Sequence, residues 1–188
     1  MTGLFGGTFN PPHIGHMILA ERSLHELSLD KIIFIPSGMP PHKSKDVLGC
    51  EMRYKLTVLA TCGNPRFEVS DYETKNTGVS YTIDTLKHFD RILHGEMIFL
   101  MGMDSLNDLK NWKDCEDIIN NFTLGVWRRP GSEELENLSD YPGMRSISAP
   151  EIPVSSSEIR KNISEGKPYR YLVPEKVYTY INAMELYL

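Results

Sequence analysis

Short apolar runs alternate with longer stretches in which apolar positions recur every three or four residues along most of this 188-residue chain. The first pattern reads as buried strand, the second as amphipathic helix. Leu4 and Phe5 predict a short opening strand, and Ile14, Met17, Ile18, Leu24 and Leu27 then repeat at helical spacing. Lys31 to Pro36 (KIIFIP) predicts a buried second strand, and a helix from about Glu51 to Cys62 stops at Gly63. Phe67 and Val69 alternate as a third strand, and a helix follows from about Tyr81 to Phe89. Met97 to Met101 (MIFLM) is the clearest core strand, Phe122 to Trp127 is another, and a short one is expected near Ile152.

Such alternation predicts an α/β fold, a doubly wound parallel sheet with helices on both faces. The segment from Arg128 to Met144 carries Gly, Pro and acidic residues and reads as a surface loop within one domain spanning 1–188. A small helical C-terminal part is expected from about residue 155. Ser155 and Glu158 have the spacing of a capping box, and Pro174 opens a last helix whose Val177, Ile181 and Met184 share a face.

Composition narrows the classes. With 40% hydrophobic and 24% charged residues the chain is near the globular average, and its formal net charge of −5 argues against a nucleic-acid partner. No apolar run approaches the roughly 20 residues that span a bilayer, and no secretory signal is visible, so a cytoplasmic protein with no membrane partner is expected. Cys50, Cys62 and Cys115 lack metal or redox spacing and read as buried small hydrophobes in a reducing compartment. Composition predicts no interface and leaves the oligomeric state open.

Candidate chemistry begins after the first strand. Gly6-Gly7-Thr8-Phe9-Asn10-Pro11-Pro12-His13-Ile14-Gly15-His16 joins a glycine turn to two histidines at a helix start. Glycines let backbone N–H groups approach an anion, the helix N-terminus adds a favourable dipole, and histidines at i and i+3 share one face. The arrangement suits polyphosphate. It is neither a P-loop nor a dinucleotide fingerprint, since Gly-Lys-Ser/Thr and GxGxxG are both missing. Metal ligation by His13 and His16 would need a third ligand, and none stands at readable spacing.

In an open α/β sheet, ligands bind outside the carboxyl ends of the strands. Three further segments are expected at that edge: Pro40-Pro41-His42-Lys43, Gly102-Met103-Asp104 and the serine cluster ahead of Arg160. Lys43 is either a solvated surface charge or a cation reaching phosphate. Arg160, read as lying in a first helical turn, opposes the helix dipole unless an anion sits between them. Asp104 could cap the next helix, and Trp112 by composition suits a core. His25, His88 and His94 have no partner pattern and read as surface or helix-face residues.

The full pattern resembles the bacterial nicotinate mononucleotide adenylyltransferases of the HxGH nucleotidyltransferase superfamily. Their GGTF(D/N)PxHxGH is matched from Gly6 to His16, PPHK by Pro40 to Lys43, and SYT by Ser80-Tyr81-Thr82 with Asp84-Thr85-Leu86 behind it. G-x-D-S-L is matched by Gly102 to Leu106, the tryptophan beyond it by Trp112, RRPG by Arg128 to Gly131, and SS(T/S)xIR by Ser156 to Arg160. Asn10 stands where aspartate is commoner, Ser157 where threonine is usual, and Lys113 where several relatives carry an aromatic residue.

The resemblance implies a Rossmann-like nucleotidyltransferase fold and transfer of AMP from ATP to nicotinate mononucleotide, by in-line displacement without a covalent intermediate. It implies His16 and His13 as catalytic donors to phosphate, with His16 nearest the α-phosphate. Gly6, Gly7, Thr8, Phe9, Lys43, Gly102, Asp104, Ser156, Ser157 and Arg160 would join them in binding ATP, and Asp104 would hold the ribose hydroxyls. Lys43, Thr85 and Trp112 would meet the mononucleotide, Trp112 by stacking on its ring. Mg²⁺ would arrive with ATP rather than on dedicated protein ligands. Phosphopantetheine adenylyltransferases and glycerol-phosphate-type cytidylyltransferases share HxGH but fit PPHK and Gly102 to Trp112 poorly. A class I aminoacyl-tRNA synthetase fragment lacks a basic surface here, and a nucleotide sensor would have no need of both histidines.

Overall fold

The structure is a computed structural model and describes residues 1–38, 47–76, 78–128, 141 and 143–188, without the side chain of residue 128. Six parallel strands, β1 (Thr2–Gly7), β2 (Lys31–Pro36), β3 (Phe67–Val69), β4 (Met97–Gly102), β5 (Thr123–Arg128) and β6 (Met144–Ser148), form one sheet in the order β3-β2-β1-β4-β5-β6. The order reverses between β1 and β4, which makes the carboxyl end of β1 the crevice of the sheet. Around it lie α1 (Ile14–Glu26), α2 (Cys50–Thr61), α3 (Tyr72–Lys75), α4 (Thr82–Ile92), α5 (Met103–Asp108), α6 (Cys115–Asn121), α7 (Ser156–Ser164) and α8 (Glu175–Ala183). Among the described residues, no helix is long and apolar enough to cross a membrane.

Alternate residues of each strand serve opposite faces, so strands buried on both sides read as continuous apolar runs. Leu4, Ile33, Phe99 and Val126 pack with Ile83, Leu86 and Ile118 of α4 and α6. Their neighbours Phe5, Ile32, Phe34 and Leu100 pack with Ala20 and Leu24 of α1. A third cluster joins Leu56 of α2 to Ile159 and Ile163 of α7 and Val177 and Ile181 of α8, so the C-terminal helices cover α2 rather than the sheet.

Several expectations change. The strand expected near Ile152 is β6, which ends at Ser148; an irregular stretch then carries the chain to α7. Gly6 and Gly7 lie within β1, paired with Ile35 and Pro36, and the turn itself begins at Thr8. Ile18 is exposed despite its helical spacing, because α1 buries a narrower stripe than the apolar pattern offers, and Met184 is exposed because α8 ends one residue before it. None of the three cysteines is buried: Cys62 is exposed, and Cys50 and Cys115 are half-buried. Helices α3 and α6 were not legible, being short pieces without a repeating apolar stripe, whereas α5 is the helix expected after the MIFLM strand.

Candidate active site

The turn after β1 is held from below. Phe9 has a left-handed φ of 48°, and its ring, 2% exposed, packs at 5.4 Å from Phe5 and 5.0 Å from His16. It therefore supports an imidazole from the core side. His13 is the N-cap of α1 and His16 lies in the first turn, with ring centroids 3.7 Å apart. Gly15 permits this: a Cβ there would stand 2.9 Å from His13 Nδ1.

The protonation state follows from geometry and burial. His13 N–H donates to His16 Nδ1 at 3.1 Å, so Nδ1 must be an acceptor and the His16 proton sits on Nε2. Burial pushes the His13 pKa down to about 4, and burial together with His13 holds His16 well below the usual imidazole range. Both are neutral near pH 7. They can donate hydrogen bonds to phosphate without carrying a charge of their own.

Two clefts flank this turn, both walled by residues of the 6–15 segment. One, of about 270 Å³, is lined by Gly6, Gly7, Thr8, Gly38, Thr85 and Trp112 among others. The other, of about 190 Å³, is lined by His13, Gly15, Gly102, Asp104, Trp127 and Ile152 among others. Trp112 is half-buried, its Nε1 donating to Asp108 Oδ2 at 3.3 Å and its ring edge-on to Phe99 at 6.4 Å, so the indole stands as a fixed wall. Asp104 is exposed in the first turn of α5. It does not cap that helix, whose N-cap is Gly102, so the carboxylate is left to face solvent or a ligand.

The cytidylyltransferase-like family model matches residues 4–162. Curated relatives extend the match over almost the whole chain. "Probable nicotinate-nucleotide adenylyltransferase" of Thermoanaerobacter sp. (strain X514) is 39% identical, covering 98% of this chain and 93% of its own. The protein of the same name from Clostridium novyi (strain NT) is 40% identical, with 98% of both chains covered. This chain belongs to the nicotinate-nucleotide adenylyltransferase family. The fold agrees: Plasmodium falciparum nicotinic acid mononucleotide adenylyltransferase, solved in complex with NaAD, superposes with a TM-score of 0.86 at 18% identity, covering 99% of this chain and 96% of that one.

The family's late serine-arginine segment reaches the same turn from the other end of the chain. Ser155 caps α7, its Oγ accepting from Glu158 N–H at 3.2 Å, as the capping-box spacing predicted. Ser156 Oγ donates to the Pro11 carbonyl at 2.8 Å, and Arg160 Nη1 donates to the Asn10 carbonyl at 2.9 Å. Arg160 lies in the second turn of α7, not the first, so it meets the dipole less directly than expected. Ser157 and Arg160 line a further cleft, of about 630 Å³, with Lys161 and Tyr187. Asn10 itself is a junction: its Oδ1 accepts from Leu48 N–H at 3.2 Å and from Tyr187 Oη at 3.0 Å.

Pro40 to Lys43 and the end of the RRPG turn lie outside the described residues. Lys113 pairs with Asp84 at 3.3 Å and sits 4.5 Å over the Tyr81 ring. Among the described residues there is no cluster of three or more His, Cys, Asp or Glu fit to hold a metal ion.

Sequence reasoning missed Arg53, Glu73, Ser37 and Gly38, which lie beneath the first cleft or line it. Arg53 is 1% exposed and Glu73 9%. A charged residue in a helix pattern reads as a solvated face, and only the fold reveals that these two point inward. Thr85, expected beside the mononucleotide, lines the first cleft but gives its hydroxyl to Glu73 at 2.7 Å.

Proposed function

We propose that this chain transfers AMP from ATP to the 5′-phosphate of nicotinate mononucleotide, giving deamido-NAD and pyrophosphate. The observation that carries the reading is a pair of clefts walled by one segment, with two neutral imidazoles at the turn between them. Two nucleotides brought to such a turn would have their phosphates beside His13 and His16. Family membership at about 40% identity, and a relative solved with NaAD, support this choice of substrates.

The cleft with Asp104 suits the adenosine of ATP: Trp127, Ile152 and Ala149 offer apolar walls, and the carboxylate can accept from ribose hydroxyls. The cleft with Trp112 suits the pyridine ring, whose cationic nitrogen gains from an indole face. The mononucleotide phosphate oxygen would attack the α-phosphorus in line, and pyrophosphate would leave. No protein nucleophile is needed, so catalysis rests on positioning and on donors aimed at developing charge.

His16 Nε2–H and His13 are the donors, with backbone N–H groups of Gly7 and Thr8 beside them. Lys43, Ser156, Ser157 and Arg160 hold the triphosphate. Magnesium would enter with ATP as part of the substrate and would supply charge neutralisation there. We read the whole 1–188 span as one catalytic unit, and reliance on ATP fits a cytoplasmic enzyme.

The test is pyrophosphate release from ATP, Mg²⁺ and nicotinate mononucleotide, run beside the amide mononucleotide. Turnover with a higher kcat/KM for the acid is expected. Failure of both to react would refute adenylyl transfer, and equal values would refute the preference for the acid.

A further inference from the structure

Beneath the first cleft, two buried charges hold opposite sides of one glycine. Arg53 Nη2 donates to the Gly38 carbonyl at 2.6 Å, and Gly38 N–H donates to Glu73 Oε2 at 3.3 Å. A Cβ at residue 38 would stand 2.4 Å from the Glu73 carbonyl oxygen, so only glycine fits the gap. Each charge then reaches a different part of the site. Arg53 Nη1 donates to the Thr8 carbonyl at 2.9 Å and to Ser37 Oγ at 3.2 Å, while its Nε donates to the Leu48 carbonyl at 2.9 Å. Glu73 Oε1 accepts from Thr85 Oγ1 at 2.7 Å.

Thr8, Gly38, Glu73 and Thr85 all line the first cleft, so this network ties its walls together. A core requires no such device, because burying a guanidinium and a carboxylate costs more than packing apolar groups of similar size. The planar fork of Arg53 can hold several carbonyls at fixed angles, which the ammonium of lysine cannot do. Arg53 joins the phosphate turn, through the Thr8 carbonyl, to the cleft wall, through the Gly38 carbonyl.

We propose that Arg53 and Glu73 are positioning residues: Glu73, with Thr85, shapes the mononucleotide cleft through Gly38, while Arg53 sets that cleft and the phosphate turn together. The proposal rests on the substrate assignment above and adds a division of labour to it. Thr85 on this account acts through Glu73 and not by touching the pyridine ring with its hydroxyl.

The experiment is calorimetric binding of nicotinate mononucleotide and of ATP, each alone, to wild type and to Glu73→Gln, Thr85→Val, Thr85→Ser and Arg53→Lys, with a thermal melt of each. Losing one buried partner is expected to weaken mononucleotide binding by roughly 10-fold in Glu73→Gln and Thr85→Val, with ATP binding held within about threefold. Thr85→Ser keeps the hydroxyl and restores wild-type affinity, whereas Arg53→Lys weakens both ligands. Equal weakening of both ligands in Glu73→Gln and Thr85→Val overturns the inference, as does a lowered melting temperature with both affinities unchanged. Should Glu73→Gln fail to fold, the Thr85 pair carries the test by itself. Wild type that binds neither ligand overturns this inference and the substrate assignment together, while wild-type binding without the split overturns only the inference.

Discussion

Arg160 donates to the backbone carbonyl of Asn10 at 2.9 Å, joining residues 150 positions apart. That bond, with Ser156 on the Pro11 carbonyl, lays the start of α7 against the loop that leads into His13 and His16. The guanidinium therefore serves the loop before any ligand arrives. Its remaining N–H groups can reach an anion at the same rim.

Replacing Arg160 should separate these tasks. Arg160→Gln is expected to raise the KM for ATP by roughly 10-fold and to lower stability by about 1 kcal/mol, the scale of losing one charge-assisted hydrogen bond to a carbonyl. Steady-state kinetics with ATP varied and a urea melt measure both. An unchanged KM would show that the side chain only braces the loop.

His16 carries the chemical step in the proposed reaction. His16→Ala is expected to lower kcat by at least ~100-fold, the scale of one positioned electrostatic donor, while the melting temperature stays near wild type. The side chain's bond from His13 N–H lies at the helix end, outside the intrahelical hydrogen-bond ladder. Near-normal turnover would remove His16 from the mechanism.

Burial of His13 predicts a pH-dependent stability. The folded pKa is lowered to about 4, against about 6.5 in the unfolded chain, so between those values the unfolded state binds more protons. Stability should be complete above about pH 6.5 and fall as the pH drops toward 4, by up to about 1.4 kcal/mol per pH unit for this group. His16, shifted in the same direction, adds to the slope. Urea melts from pH 4.5 to 7.5 on wild type and His13→Asn check it, and identical slopes would sink the idea.

The wall formed by Trp112 should matter for one substrate. Trp112→Ala is expected to raise the KM for the mononucleotide by roughly 10-fold, and Trp112→Phe by less, since a smaller ring keeps part of the stacking. The KM for ATP should change little in either variant. A parallel rise in both KM values would instead mark Trp112 as core, supporting Phe99 from the side.

Ser155 offers a prediction for stability. Ser155→Ala leaves Glu158 N–H without its cap and should cost about 1 kcal/mol, lowering the melting temperature by about 2–4 °C. A thermal melt decides it.

What could be read from the chain alone were features whose cause is local. KIIFIP and MIFLM are strands because both faces of each are buried, and a run of branched and apolar side chains says so without any partner. Ser155 and Glu158 announce a helix start because the cap bond closes within four residues. The histidine pair was legible for the same reason, being a turn and the first residues of one helix.

Tertiary structure alone decided the rest. Arg53 and Glu73 come from α2 and α3 and meet at Gly38 beyond β2, a meeting that no spacing encodes because its parts are brought together only by the winding of the sheet. The neutrality of His13 and His16 has the same origin. Imidazole charge depends on burial, and burial is a property of the assembled core beneath Phe9, not of the motif. Sequence determined which groups this protein possesses; folding decided which are charged, which are held, and which are left free to meet a substrate.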